Sequence, residues 1–113
     1  NRVRLSRQRD EWFMSNKKKN LDNWYVYIVE CADGSLYTGI TTNVSRRIYE
    51  HNFSATHGSK YTRARRPVQL VESIKVQTRS QAAKIEAAVK SKKKSEKRKY
   101  LASYLYSQQG EKE

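Results

Sequence analysis

Trp24-Tyr25-Val26-Tyr27-Ile28-Val29-Glu30-Cys31-Ala32-Asp33-Gly34-Ser35-Leu36-Tyr37-Thr38-Gly39-Ile40-Thr41 is the stretch on which the fold turns. From Trp24 to Cys31 it is β-branched and aromatic, which predicts a strand. Both alternating faces are apolar, as expected of a central strand covered on two sides. Asp33-Gly34 is a strong hairpin signal, and Ser35 to Thr41 is the return strand. Loop length then decides where the side chains go. A two-residue loop, Asp33-Gly34, would set Tyr37 opposite Glu30 and Tyr27 opposite Ile40, with the phenols on opposite faces. A three-residue loop, Ala32-Asp33-Gly34, takes a type I turn with Gly34 in the left-handed region and a G1 bulge. Tyr37 then opposes Val29, and Tyr27 opposes Gly39. Both phenols share one face as diagonal neighbours. The three-residue loop is the expected one, with Gly34 and Gly39 as its structural glycines. Gly39 is expected to leave open space over Tyr27, where a phosphate or metal-bound water can approach.

Working outward, Asn43 is an N-cap signal, and a helix is expected over Val44–Asn52. Ser54 to Arg66 reads as a loop ending at Pro67. Val68 to Val76 is a third strand. Thr78 or Ser80 caps a second helix through Lys90, and Ser95 caps a third through Ser107. Tyr100, Leu101, Tyr104 and Leu105 share one face of that last helix. The order strand, strand, helix, strand, helix, helix predicts an α+β fold, a three-stranded antiparallel sheet flanked by helices. The folded domain is expected over residues 24–107. Residues 1–23 are expected to form a mobile basic arm, because they hold too few apolar side chains to offset their ordering entropy. Met14 within that arm is a candidate start. Residues 108–113 are expected to be a flexible tail.

The chain has 113 residues, a net charge of +13 and a pI near 10.0. Apolar residues make up 36%, enough for one modest core. The charge says nothing of fold but points to phosphate backbones as partners. Cys31 is the only cysteine, which excludes an internal disulfide and a Cys-based zinc cage. It lies in an apolar run and is expected to be a core residue. No apolar run is long enough to span a bilayer. A cytoplasmic, reducing location is the expectation.

Chemistry-bearing residues cluster around the hairpin. Arg47 and His51 are four apart on the first helix, beside its Val44 and Ile48 stripe, so both border the seam that docks the helix. On the second helix Ala82, Ile85 and Val89 form the core stripe, and Glu86 borders it. A carboxylate at that edge can hold a divalent cation whose other positions are filled by water, as Mg²⁺ prefers. Singly, each residue has an ordinary structural explanation. Strand tyrosines usually pack, and Glu86 with Lys90 is a common i,i+4 ion pair.

Taken together, Tyr25-Val26-Tyr27, Tyr37-Thr38-Gly39, Arg47, His51 and Glu86 resemble the GIY-YIG nuclease superfamily. Tyr25 stands where the family name has Gly, and Thr38 where it has Ile. Leu36 to Arg47 and Lys60 to Val71 look like the small single-domain bacterial members. The resemblance runs from Trp24 to Leu101. It implies Mg²⁺- or Mn²⁺-dependent endonucleolytic cleavage of DNA phosphodiesters, in DNA repair or recombination. By position, Tyr37 matches the general base proposed in several members, and Tyr27 its hydrogen-bonding partner. Arg47 matches the arginine on the scissile phosphate. His51 matches a Tyr or His position, and Glu86 the metal-anchoring carboxylate. An Asn that many active members carry after that Glu has no counterpart here.

The competing reading is a non-catalytic nucleic-acid-binding module on the same scaffold. Lys60, Tyr61, Arg63, Arg65 and Arg66 mix cations with an aromatic, as single-strand binders do. Lys92, Lys93 and Lys94 begin a second basic run. Both readings predict DNA, branched or single-stranded, as the partner. They predict weak sequence preference and steep salt dependence. Specificity is then left to loops or to a protein partner.

Overall fold

The computed structural model describes residues 23–112, with side chains through Leu105. The expected basic arm, Met14 included, lies outside these residues except for Asn23. β1 (Trp24–Glu30), β2 (Leu36–Thr41) and β3 (Gln69–Val76) form one antiparallel sheet in the order β2-β1-β3. The central position of β1 accounts for its unbroken apolar run. Val26, Tyr27, Ile28 and Val29 are all buried, two on each face.

The hairpin has the expected three-residue loop. Gly34 N–H donates to the Cys31 carbonyl, Cys31 N–H donates to the Ser35 carbonyl, and Gly34 has φ 86°. Val29 therefore opposes Tyr37, and Tyr27 opposes Gly39. Asp33 braces the turn by accepting from both the backbone N–H and the hydroxyl of Ser35.

Among the described residues four helical segments join the sheet: α1 (Val44–Phe53), α2 (Lys60–Arg63), α3 (Arg79–Lys90) and α4 (Lys94–Lys112). Asn43 caps α1 by accepting from Arg46 N–H. Thr78, not Ser80, caps α3, in a reciprocal capping box with Gln81. α2 corrects the expectation of a plain loop. Ser59 accepts from Thr62 N–H and nucleates a single turn there. The last helix also differs at both ends. The Lys93 carbonyl accepts its first bonds, so Ser95 lies inside the first turn and does not cap it. No proline follows to stop it, and it continues past Ser107 through Lys112.

The sheet separates two layers. On one face Val26, Ile28, Ile74 and Val76 pack against Ala82, Ile85 and Val89 of α3 and Leu101 of α4. On the other face Tyr27, Val29 and Cys31 pack with Val68, flanked by Tyr37 and by Ile48 of α1. The larger layer carries the aliphatic core. The smaller one holds polar chemistry among its apolar walls.

Candidate active site

Strand parity puts Tyr27 and Tyr37 on the α1 face of the sheet. Helical periodicity turns Arg47 and His51 toward the same face. Four of the five expected residues meet there. His51 is fully buried. Its Nε2 lies 2.7 Å from the Tyr27 phenol oxygen, and its Nδ1 lies 2.8 Å from Thr62 Oγ1. The Tyr37 ring meets the imidazole edge-on, with centroids 5.2 Å apart. The Arg47 guanidinium borders the Tyr27 phenol and also donates to Glu50 Oε1 at 2.9 Å and to the His57 carbonyl.

Burial sets the electrostatics of this pair. The Tyr27 pKa is pushed up to about 12, chiefly because the phenolate would be desolvated. The hydrogen bond from Arg47 pulls it down, while the Tyr37 phenol and the Glu86 carboxylate push it up. The His51 pKa falls to about 4, first through desolvation and then through the positive field of Arg47, with Glu50 opposing. At neutral pH the site therefore holds a protonated phenol against a neutral imidazole.

Gly39 has a different role from the one expected. Its Cα faces the Tyr27 ring itself, and a Cβ there would lie 2.5 Å from the phenol oxygen. The space over Gly39 is filled by Tyr27 and is not an open approach for a phosphate. The glycine is needed so that the ring can lie flat across β2 and reach His51.

Glu86 projects from α3, on the other layer of the fold, with its side chain 23% exposed and its carboxylate 3.2 Å from Lys90 Nζ. It approaches closely enough for its charge to raise the Tyr27 pKa. Among the described residues no three His, Cys, Asp or Glu side chains cluster to cage an ion. The donor set here is one partly exposed carboxylate, which fits a divalent ion that keeps most of its waters and does not fit a dry protein cage.

The basic loop is more structural than its composition implied. Arg66 donates to the carbonyls of His51, Glu50 and Ser54, capping the C-terminal end of α1. Its Nε and Nη2 groups are engaged there, on the protein's own backbone. Arg65 lies 3.8 Å over the Tyr61 ring and pairs with Asp33 at 3.1 Å. Tyr61 in turn stacks on Tyr37, with centroids 6.0 Å apart. The turn, the loop and the site are thereby tied into one ladder. Lys60 and Arg63 are exposed, as are Lys93 and Lys94, while Lys92 folds over the Tyr100 ring.

Three polar participants escaped the sequence reading: Ser59, Thr62 and Glu50. Ser59-x-x-Thr62 is a capping pattern, but nothing in a polar loop announces that Thr62 will be fully buried against a histidine.

Comparison with known proteins places the chain in a family. The GIY-YIG catalytic domain model matches residues 23–100. A UPF0213 protein of Desulfotalea psychrophila is 63% identical over 67 residues, 59% of this chain and 60% of that protein. The match therefore spans less than two thirds of that relative. A UPF0213 protein of Enterococcus faecalis is 46% identical over 93 residues, covering 80% of this chain and 99% of that one. The solution NMR structure of an E. faecalis protein superposes with a TM-score of 0.50 at 40% identity, covering 73% of this chain and 85% of that chain. With its sheet order, its paired tyrosines and a family match over most of its length, the chain belongs to the GIY-YIG catalytic-domain family, and so to a nuclease superfamily.

Proposed function

We propose that this domain is a metal-dependent endonuclease that hydrolyses DNA phosphodiester bonds with little sequence preference, in repair or recombination. The observation that carries the reading is the buried Tyr27–His51 hydrogen bond, flanked by the partly exposed Arg47 and Tyr37. A fold alone does not require a neutral histidine, a guanidinium and two phenols to converge in this way. Glu86 would hold a hydrated Mg²⁺ or Mn²⁺ once Lys90 swings aside. When bound, the ion supplies a Lewis acid at a phosphate oxygen and offsets charge at the leaving oxygen.

The chain's own residues divide the remaining work. Arg47 offers its guanidinium to charge developing on the phosphoryl group. Tyr37, the less buried phenol, accepts a proton from the attacking water. Neighbouring positive charge favours the phenolate that this step requires. Tyr27 is the fixed phenol, anchored by His51, that orients this cluster. Lys60, Arg63, Lys93 and Lys94 are exposed and available to a DNA backbone. Cytoplasmic location is part of the same proposal. Cys31 is a free, buried thiol, and among the described residues no helix is long and apolar enough to cross a membrane.

One observation favours the binding-module alternative. Arg47 already has partners in Glu50 and the His57 carbonyl, so phosphate must compete for it. Nicking of plasmid and branched DNA, with Mg²⁺ or Mn²⁺ against EDTA, separates the two readings. Metal-dependent nicking that is lost in Glu86→Ala and Tyr37→Phe, with gel retardation retained, supports the enzyme. Retardation without cleavage under any metal supports the module.

A further inference from the structure

The polar chain behind Tyr27 does not end at His51. Thr62 Oγ1 is fully buried and has three polar neighbours: His51 Nδ1 at 2.8 Å, Ser59 Oγ at 2.8 Å and the Ser59 carbonyl at 3.3 Å. We propose that Thr62 is a positioning residue for strand cleavage. Its hydroxyl accepts from His51 Nδ1 and so fixes the imidazole tautomer whose Nε2 accepts the Tyr27 proton. The inference rests on the nuclease reading for its kinetic consequence, but not for its structural content.

Donor and acceptor counting gives the direction. A carbonyl only accepts, so the 3.3 Å contact with the Ser59 carbonyl is a bond only if Thr62 gives its single hydroxyl hydrogen to that side. Ser59 Oγ already accepts from Thr62 N–H and can take the same hydrogen. The lone pairs of Thr62 are then free to receive Nδ1–H. A neutral imidazole carries one N–H, so its Nε2 remains an acceptor. Tyr27 donates to it, and the phenol oxygen keeps its lone pairs for Arg47, which can only donate. The opposite tautomer makes Nε2–H donate to a phenol oxygen that Arg47 also approaches, and it turns the phenol hydrogen toward a guanidinium. The charged groups around the imidazole are Arg47, Arg66 and Glu50. Burial first, and then the positive field of Arg47 and Arg66, keep the ring neutral, so tautomer and not charge is the variable that Thr62 controls.

The test compares Thr62→Val, which keeps the shape and removes the hydroxyl, with Thr62→Ser, which keeps the hydroxyl. Long-range ¹H–¹⁵N spectra of ¹⁵N-histidine-labelled protein report the tautomer, and urea unfolding shows whether each variant is folded. Wild type and Thr62→Ser should show Nδ1–H at His51. Thr62→Val should lose that preference. Its nicking turnover should fall about 10- to 100-fold, the range seen when a metal-ligating histidine loses its orienting partner. DNA binding should stay within about twofold, and Thr62→Ser should recover the turnover. An unchanged His51 tautomer in Thr62→Val overturns the inference, as does Nε2–H in wild type. If Thr62→Val fails to fold, the wild-type and Thr62→Ser spectra still decide. If wild type nicks no DNA with any metal, the nuclease reading fails, and the spectra judge the Thr62–His51 relation separately.

Discussion

Replacing Gly39 with alanine should destabilise the protein, although the same change usually does the reverse in an extended segment. Gly39 has no positive φ, so alanine meets no backbone strain and would gain about 0.4–1 kcal/mol from a less flexible unfolded chain. The obstacle is the Tyr27 ring. The new methyl would sit 2.5 Å from the phenol oxygen and 2.7 Å from Cζ. Ordinary carbon contacts are about 3.5–4.0 Å, so the ring must retreat by about 1 Å. That retreat stretches the 2.7 Å bond to His51 Nε2 beyond useful length. Overpacking costs about 1–3 kcal/mol, and a stranded buried nitrogen about 1–3 kcal/mol more. With the entropy gain subtracted, the net loss is about 3 kcal/mol. Urea unfolding at neutral pH measures it. A cycle with Tyr27→Phe isolates the phenol's share of the cost, because phenylalanine lacks both the oxygen that the methyl would meet and the bond to His51. The Gly39→Ala cost should shrink by about 1–3 kcal/mol in that background. Equal costs in both backgrounds, or a stabilised Gly39→Ala protein, would refute the reasoning.

Acid should weaken the fold through His51. Its folded pKa of about 4 lies below the usual 6.5, so the unfolded chain binds the extra proton first. The stabilisation is complete above pH 6.5 and fades as pH falls toward 4, and His51→Gln should flatten the dependence of the urea midpoint across that window. Arg66→Ala should cost about 1–3 kcal/mol by removing the donors that cap α1 at His51, Glu50 and Ser54. An Arg66→Ala protein with wild-type stability but much weaker DNA affinity would instead restore Arg66 to the binding surface. Converting Lys93 and Lys94 to glutamine should lower the slope of log affinity against log salt by about 1–2, the share of two released counterions. An unchanged slope in gel-shift titrations would take this end of the fold off the DNA path.

Much of the architecture follows from local rules that act within a few residues. Asn43 and Thr78 cap because their side chains reach the next turn. Hairpin parity follows from the three-residue loop with Gly34, and the shared face of Tyr27 and Tyr37 follows from that parity. These are short-range constraints, and the chain itself carries them. Helical period and the Val44 and Ile48 stripe fix the face that carries Arg47 and His51. The end of the last helix is not marked in the sequence, because no proline follows Ser107 to stop it.

What the sequence by itself determined is the order of elements, the strand register and the residue types that face the α1 layer. Only the tertiary structure decided how that layer is filled. It set the Tyr27 ring in the space that Gly39 leaves and buried Thr62 from within a polar loop. It also turned Arg66 back onto the carbonyls of its own helix. The physical reason is that spacing along the chain specifies direction, whereas desolvation and hydrogen-bond partnership depend on residues far apart in sequence, and they exist only once sheet, helix and loop have closed on one another.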